Sequence, residues 1–122
     1  MAFTEKVDAP TPDAGDLTAF QKNILTILAE EARYGLAVKR ELEEYYGEEV
    51  NHGRLYPNLD DLVKKGFVEK SELDKRTNSY ALTPDGRDVL FADLSWQLEK
   101  IARSGSRAEL ILSVVEKSRG DA

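Results

Sequence analysis

The chain has 122 residues, 41% hydrophobic and 33% charged, which suits one globular core and leaves no apolar run long enough for a membrane span. Cysteine is absent, which excludes disulfides, thiolate nucleophiles and thiolate metal sites. The net charge of −6 is uneven: residues 1–50 hold 5 Lys/Arg against 11 Asp/Glu, residues 51–80 hold 6 against 5, and residues 81–122 hold 6 against 7. Such acidity suits a high-salt cytoplasm, where salt screens self-repulsion, although an ordinary acidic protein has the same composition. Residues 1–15 show no cationic stretch leading into an apolar one, so a signal peptide is not expected and a cytoplasmic location is.

Residues 1–16, with Pro10, Pro12 and Gly15, read as a flexible N-terminal arm. Leu17, Phe20, Ile24, Ile27 and Leu28 predict a helix with one buried face and Asp16 as its N-cap. Val38, Leu42 and Tyr45 predict a second helix over 34–47, stopped by Gly47. Leu55, Leu59 and Leu62 predict a third over 51–65, capped by Asn51 and ended by Gly66, with Pro57 bending its first turns. Residues 67–73 and 78–82 read as two strands joined through Asp74-Lys75-Arg76-Thr77, a hairpin with a basic tip. Thr83 and Pro84 then open a long helix with Val89, Leu90, Leu94, Leu98 and Ile101 on its stripe; Ser104–Ser106 interrupts, and Leu110, Ile111, Val114 and Val115 mark a short last helix.

Three helices followed by a hairpin and a long helix make a mainly α fold with a small β-hairpin (α+β), the winged form of helix-turn-helix, with a C-terminal dimerisation helix. The expected organisation is an arm over 1–16, a winged-helix domain over 17–83 and dimerisation helices over 84–122. No Gly-rich phosphate loop, Ser/His/Asp order or metal-ligand cluster is present, so the chain does not read as an enzyme.

Residues 53–68 read Gly-Arg-Leu-Tyr-Pro-Asn-Leu-Asp-Asp-Leu-Val-Lys-Lys-Gly-Phe-Val. This resembles the PadR-like family of winged-helix regulators, whose third helix carries a Gly-x-Leu-Tyr-Pro-x-Leu-x-x-Leu-x-x-x-Gly pattern. Tyr34-Gly35 before the second helix, and Arg76 followed by Tyr80-Ala81-Leu82-Thr83-Pro84-Asp85-Gly86, extend the likeness over about residues 17–90. The acid bias and Arg54, where many relatives have Ser or Thr, make the chain similar to haloarchaeal, oxidant-responsive members. The C-terminal part is shorter than in the longer subfamily, so no small-molecule ligand is expected.

The resemblance implies that the third helix enters the major groove of double-stranded DNA. Arg54 is placed to bind guanine O6 and N7, or else a phosphate. Asn51 is a cap or a base reader, His52 a phosphate donor, and Asn58 a further groove contact. Tyr56 and Tyr34 either reach phosphates or pack inward. Lys64 and Lys65 either bind phosphates or complement the helix dipole. Lys75 and Arg76 suit the DNA backbone or the minor groove, or form a solvated turn.

A winged helix covers one half-site, and Leu90, Leu94, Trp96, Leu98 and Ile101 need a partner surface, so a homodimer is expected. No metal centre is predicted. Potassium or other hard cations could sit between phosphates and Glu43, Glu44, Glu48 and Glu49; the alternative is a solvated acidic face. Two other functions fit the fold: an adaptor that uses the winged helix for protein contacts, and a sequence-neutral chromatin-like binder. Any oxidative stress signal cannot run through cysteine, which leaves Met1, His52, Trp96 and the tyrosines as side chains to oxidise.

Overall fold

The computed structural model describes residues 14–74, 77–103 and 105–118. Most of the expected arm lies outside them; Ala14–Asp16 form a short 3-10 turn. Helix α1 spans Ala19–Glu30. Its cap is Thr18, two residues later than the expected Asp16. Thr18 Oγ1 accepts from Gln21 N–H at 3.1 Å, and Gln21 Oε1 accepts from Thr18 N–H at 3.3 Å. This reciprocal box satisfies two backbone donors, where a lone aspartate would satisfy one.

Strand β1, Arg33–Tyr34, follows and runs directly into α2, Gly35–Tyr46. Val38 and Leu42 face inward as the spacing predicts, but Tyr45 is 71% exposed. Its ring turns edge-on to Tyr46, which takes the inward place and stacks on Phe20. Helix α3 spans His52–Lys64, and Leu55, Leu59 and Leu62 are fully buried. Gly47 and Gly66 end α2 and the α3 segment with φ of 72° and 84°, a conformation that costs a residue with a Cβ.

Strands β2, Val68–Glu72, and β3, Asn78–Leu82, form the expected wing, with Lys70 opposite Tyr80 in antiparallel register. The sheet has three strands in the order β1-β3-β2, so the hairpin is one strand short of the observed sheet. A two-residue strand has no periodicity to read. Pairing of Arg33 with Tyr80 and Tyr34 with Ser79 makes β3 central and fixes the start of α2 against the wing.

Helix α4, Pro84–Ile101, opens on the predicted cap: Thr83 Oγ1 accepts from Gly86 N–H at 3.0 Å. The Thr83 hydroxyl also donates to Gly66 O at 2.7 Å, tying the start of α4 to the end of the α3 segment. The chain divides into two compact units, one up to Leu90 and one from Phe91. The division lies inside α4, beyond residue 83, because Val89 and Leu90 pack on the first core. That core gathers α1, α2, α3 and the sheet around Ile24, Leu25, Leu42, Leu59 and Tyr80. The second unit comprises the rest of α4 and helix α5, Gly105–Ser118. Among the described residues no helix is long and apolar enough to cross a membrane.

Candidate nucleic-acid interface

Three buried leucines fix how α3 lies. With 3.6 residues per turn, the face opposite Leu55, Leu59 and Leu62 carries Gly53, Pro57, Asp60 and Lys64, and all four are exposed. Asn51 caps the helix, its Oδ1 accepting from Gly53 N–H at 2.7 Å. That cap use agrees with one of its two expected roles. His52 stacks on Tyr56 with ring centroids 5.5 Å apart.

One flank of α3 leans on α1. The Arg54 guanidinium lies 3.9 Å from the centroid of Phe20 and 5.8 Å from that of Tyr46. Asn58 is engaged within the fold: its amide nitrogen donates to Arg54 O at 2.7 Å and its oxygen accepts from Gln21 at 3.0 Å. Asp61 accepts from Gln21 at 2.9 Å and pairs with Lys65 at 2.9 Å. The bond from Lys65, then that from Gln21, holds the Asp61 carboxyl below the usual range. Of the two basic residues at the helix end, Lys64 is exposed on the outward face and Lys65 is turned into this pair.

The other flank meets the start of α2. Tyr56 is half-buried, and its hydroxyl lies so close to Gly35 that a Cβ there would come within 2.6 Å of it. The Tyr-Gly pair at the start of α2 and the Leu-Tyr-Pro run of α3 thus meet in one contact, that of Gly35 with Tyr56. Tyr34 precedes α2, half-exposed and without a side-chain cap bond. At the wing, Asp74 Oδ1 accepts from Thr77 N–H at 2.9 Å; Lys75 and Arg76 lie outside the described residues.

The four expected cation ligands part company. Glu43 accepts from Lys39 at 2.8 Å and from Val50 N–H at 2.9 Å, contacts that lower its pKa in that order. Glu44, Glu48 and Glu49 are exposed. No group of three or more His, Cys, Asp or Glu is gathered for a metal ion among the described residues. In the dimerisation set, Leu90 is packed on the first core, Leu98 is half-buried, and Leu94, Trp96 and Ile101 are exposed.

Sequence reading missed Gln21, the Phe20–Arg54 stack and the outward stripe of Gly53, Pro57 and Asp60. The pattern Thr18-x-x-Gln21 before an apolar run is a capping-box signature and does mark Gln21. Nothing local marks the Phe20–Arg54 pair, whose partners lie on different helices.

The pattern of the transcriptional regulator PadR-like family runs over residues 24–92, more than half of the chain. The chain belongs to the PadR-like family of transcriptional regulators. Among solved structures, H. salinarum RosR grown from NaBr is 67% identical with a TM-score of 0.87, covering 90% of this chain and 100% of that one. A complex structure of hsRosR is 68% identical with a TM-score of 0.86, covering 88% of this chain and 96% of that one. The likeness to haloarchaeal members read from the acid bias and Arg54 therefore holds. A winged-helix DNA-binding protein from STIV, F93, is 13% identical with a TM-score of 0.55 over 69% of this chain and 90% of that one, and shares the fold alone. No curated protein sequence matches the chain. PadR-like proteins are DNA-binding regulators of transcription and not a family of enzymes, which fits the winged-helix architecture.

Proposed function

We propose that the chain is a homodimeric, sequence-specific regulator that lays α3 in the major groove, sets the wing against the backbone or the minor groove, and works at high salt. The observation that carries this reading is the exposed side of α3: a narrow stripe of Gly53, Pro57, Asp60 and Lys64 flanked by the Arg54 fork. A helix with two small exposed residues in its first turns can approach base edges closely. Arg54 then supplies paired donors for guanine, with its face supported by Phe20. Tyr34, His52, Lys64 and the wing residues Lys75 and Arg76 contribute phosphate contacts, which set register while base contacts set sequence.

Dimerisation is supported by the second unit, where Phe91, Leu94, Trp96 and Ile101 on α4 and Leu110, Leu112, Val114 and Val115 on α5 are all exposed large hydrophobics. Two copies related by a two-fold axis place their α3 helices in successive turns of a pseudo-palindrome, ~34 Å or a multiple apart. Cations shared between phosphates and Glu44, Glu48 and Glu49 offset the acidic surface beside α3; Glu43 is already neutralised by Lys39. The protein is read as cytoplasmic, with DNA and a second copy as its partners.

Selection of duplexes from a random library at high salt tests the reading whatever the operator sequence is. The expected outcome is enrichment of one pseudo-palindromic motif, with Arg54→Ala relaxing a guanine position in each half-site. A pool that stays unenriched while the protein binds every duplex equally identifies a sequence-neutral binder. A protein that retains no duplex is an adaptor.

A further inference from the structure

Gln21 is the one buried polar side chain among the described residues, 4% exposed, and its whole amide is in use. Nε2 donates to Asn58 Oδ1 at 3.0 Å and to Asp61 Oδ2 at 2.9 Å, while Oε1 accepts from Thr18 N–H at 3.3 Å. Both hydrogens therefore cross from α1 to α3, and both land on the flank of α3 that carries Arg54. Asn58 passes the grip on: its other amide atom donates to the Arg54 carbonyl. The neighbouring residue, Phe20, lies under the Arg54 guanidinium. Two consecutive residues of α1 thus hold the side of α3 that faces them.

We infer that Gln21 is a positioning residue for sequence recognition: it sets the roll of α3 about its own axis and so decides which side chains meet the bases. The inference rests on reading α3 as the groove helix. The packing of Leu55, Leu59 and Leu62 is close but non-directional, and a small roll changes it gradually. Hydrogen bonds are directional. One bond fixes a point, whereas bonds to Asn58 and Asp61, three residues apart on one flank, fix both a point and a phase. With side chains a helix is about 10–12 Å across, so a roll of roughly 20° moves its outer surface by about 2 Å. A base contact tolerates a range of only about 0.5 Å in donor–acceptor distance. Loss of the bridge therefore removes discrimination between bases before it removes phosphate binding, which tolerates longer and water-filled contacts.

The test compares wild type, Gln21→Met, Gln21→Glu and the pair Gln21→Glu/Asp61→Asn on the library-enriched duplex and on its scrambled version, with thermal melts alongside. Methionine keeps the volume and the apolar packing and leaves Asn58 and Asp61, both half-exposed, to bind water. Gln21→Met is expected to melt cooperatively, to hold its affinity for the scrambled duplex within about twofold, and to lose roughly tenfold or more in preference for the enriched one. Glutamate keeps the Thr18 capping box but has no hydrogen to donate and faces Asp61, so Gln21→Glu loses the preference as well. In the double variant the amide introduced at 61 donates to the carboxylate introduced at 21, and part of the lost preference returns.

A folded Gln21→Met with the wild-type preference, or with both duplexes weakened equally, overturns the inference. Where Gln21→Met does not fold, the double variant decides: a preference no higher than that of Gln21→Glu overturns it. Wild type that fails to distinguish the two duplexes overturns the proposed function itself, so the two failures are separable.

Discussion

At Arg54 a guanidinium lies over the Phe20 ring, which engages its face and leaves its in-plane donors for an acceptor. Lysine at this position keeps the charge and loses both the stack and the fork. Arg54→Lys is expected to weaken binding to the enriched duplex by about 1–3 kcal/mol while changing the scrambled duplex little; titration of both duplexes checks it. Gly35 makes a second residue-scale prediction. Its missing Cβ is the space that the Tyr56 hydroxyl fills, so Gly35→Ala overpacks the α2–α3 contact and costs about 1–3 kcal/mol in urea unfolding. Adding Tyr56→Phe removes the closest atom and recovers part of that loss. These two residues show what was legible and what was not. Gly35 and Tyr56 stood out as parts of two motifs, yet their contact is a matter of tertiary geometry. Asn58 looked like a groove residue from its place in the first turns, but a partner 37 residues away along the chain claims it. Single-sequence reading assigns a side chain to a face and has no means of knowing who already holds it.

The elements were legible where periodicity is long. Leu55, Leu59 and Leu62 gave α3, and Leu59→Ala should cost about 2–5 kcal/mol because a fully buried side chain leaves a cavity. The wing followed from two short runs, residues 67–73 and 78–82, on either side of the polar turn at 74–77. Strand β1 escaped because its two residues gain their extended form from pairing with β3, not from any local pattern. Helix α3 also carries a pH signature. Lys65 first, and Gln21 second, hold the Asp61 carboxyl below its ordinary value. A lowered carboxyl stabilises the fold above its unfolded pKa of ~3.9, and that contribution fades as pH falls through the lower folded value. Because the Asp61 side chain is 44% exposed, solvent screens the pair and the effect is small. Asp61→Asn is therefore expected to be less stable than wild type at neutral pH and to draw level with it in acid, as read from urea midpoints across that range.

For the whole molecule, the question is how one acidic chain holds DNA. The acid excess sits in residues 1–50, whereas residues 51–80, which contain α3 and most of the wing, carry 6 Lys/Arg against 5 Asp/Glu. The proposed dimer, with two copies joined through the second unit, would double the contact. Charged substitutions at Leu94 and Ile101, both exposed on α4, are expected to give a monomer in sedimentation with at least about a hundredfold lower affinity for a pseudo-palindrome. This scale was only partly legible in sequence: the apolar stripe of α4 was evident, but Leu90 turned out to serve the first core.

Specific DNA binding by an acidic regulator at high salt can be measured by titrating the enriched and scrambled duplexes from ~0.1 M to ~3 M KCl on a log–log plot. A shallow slope is expected, with the enriched duplex preferred at every concentration. A steep fall that erases both binding and preference well below molar salt would mean that the protein is not a specific DNA binder at high salt.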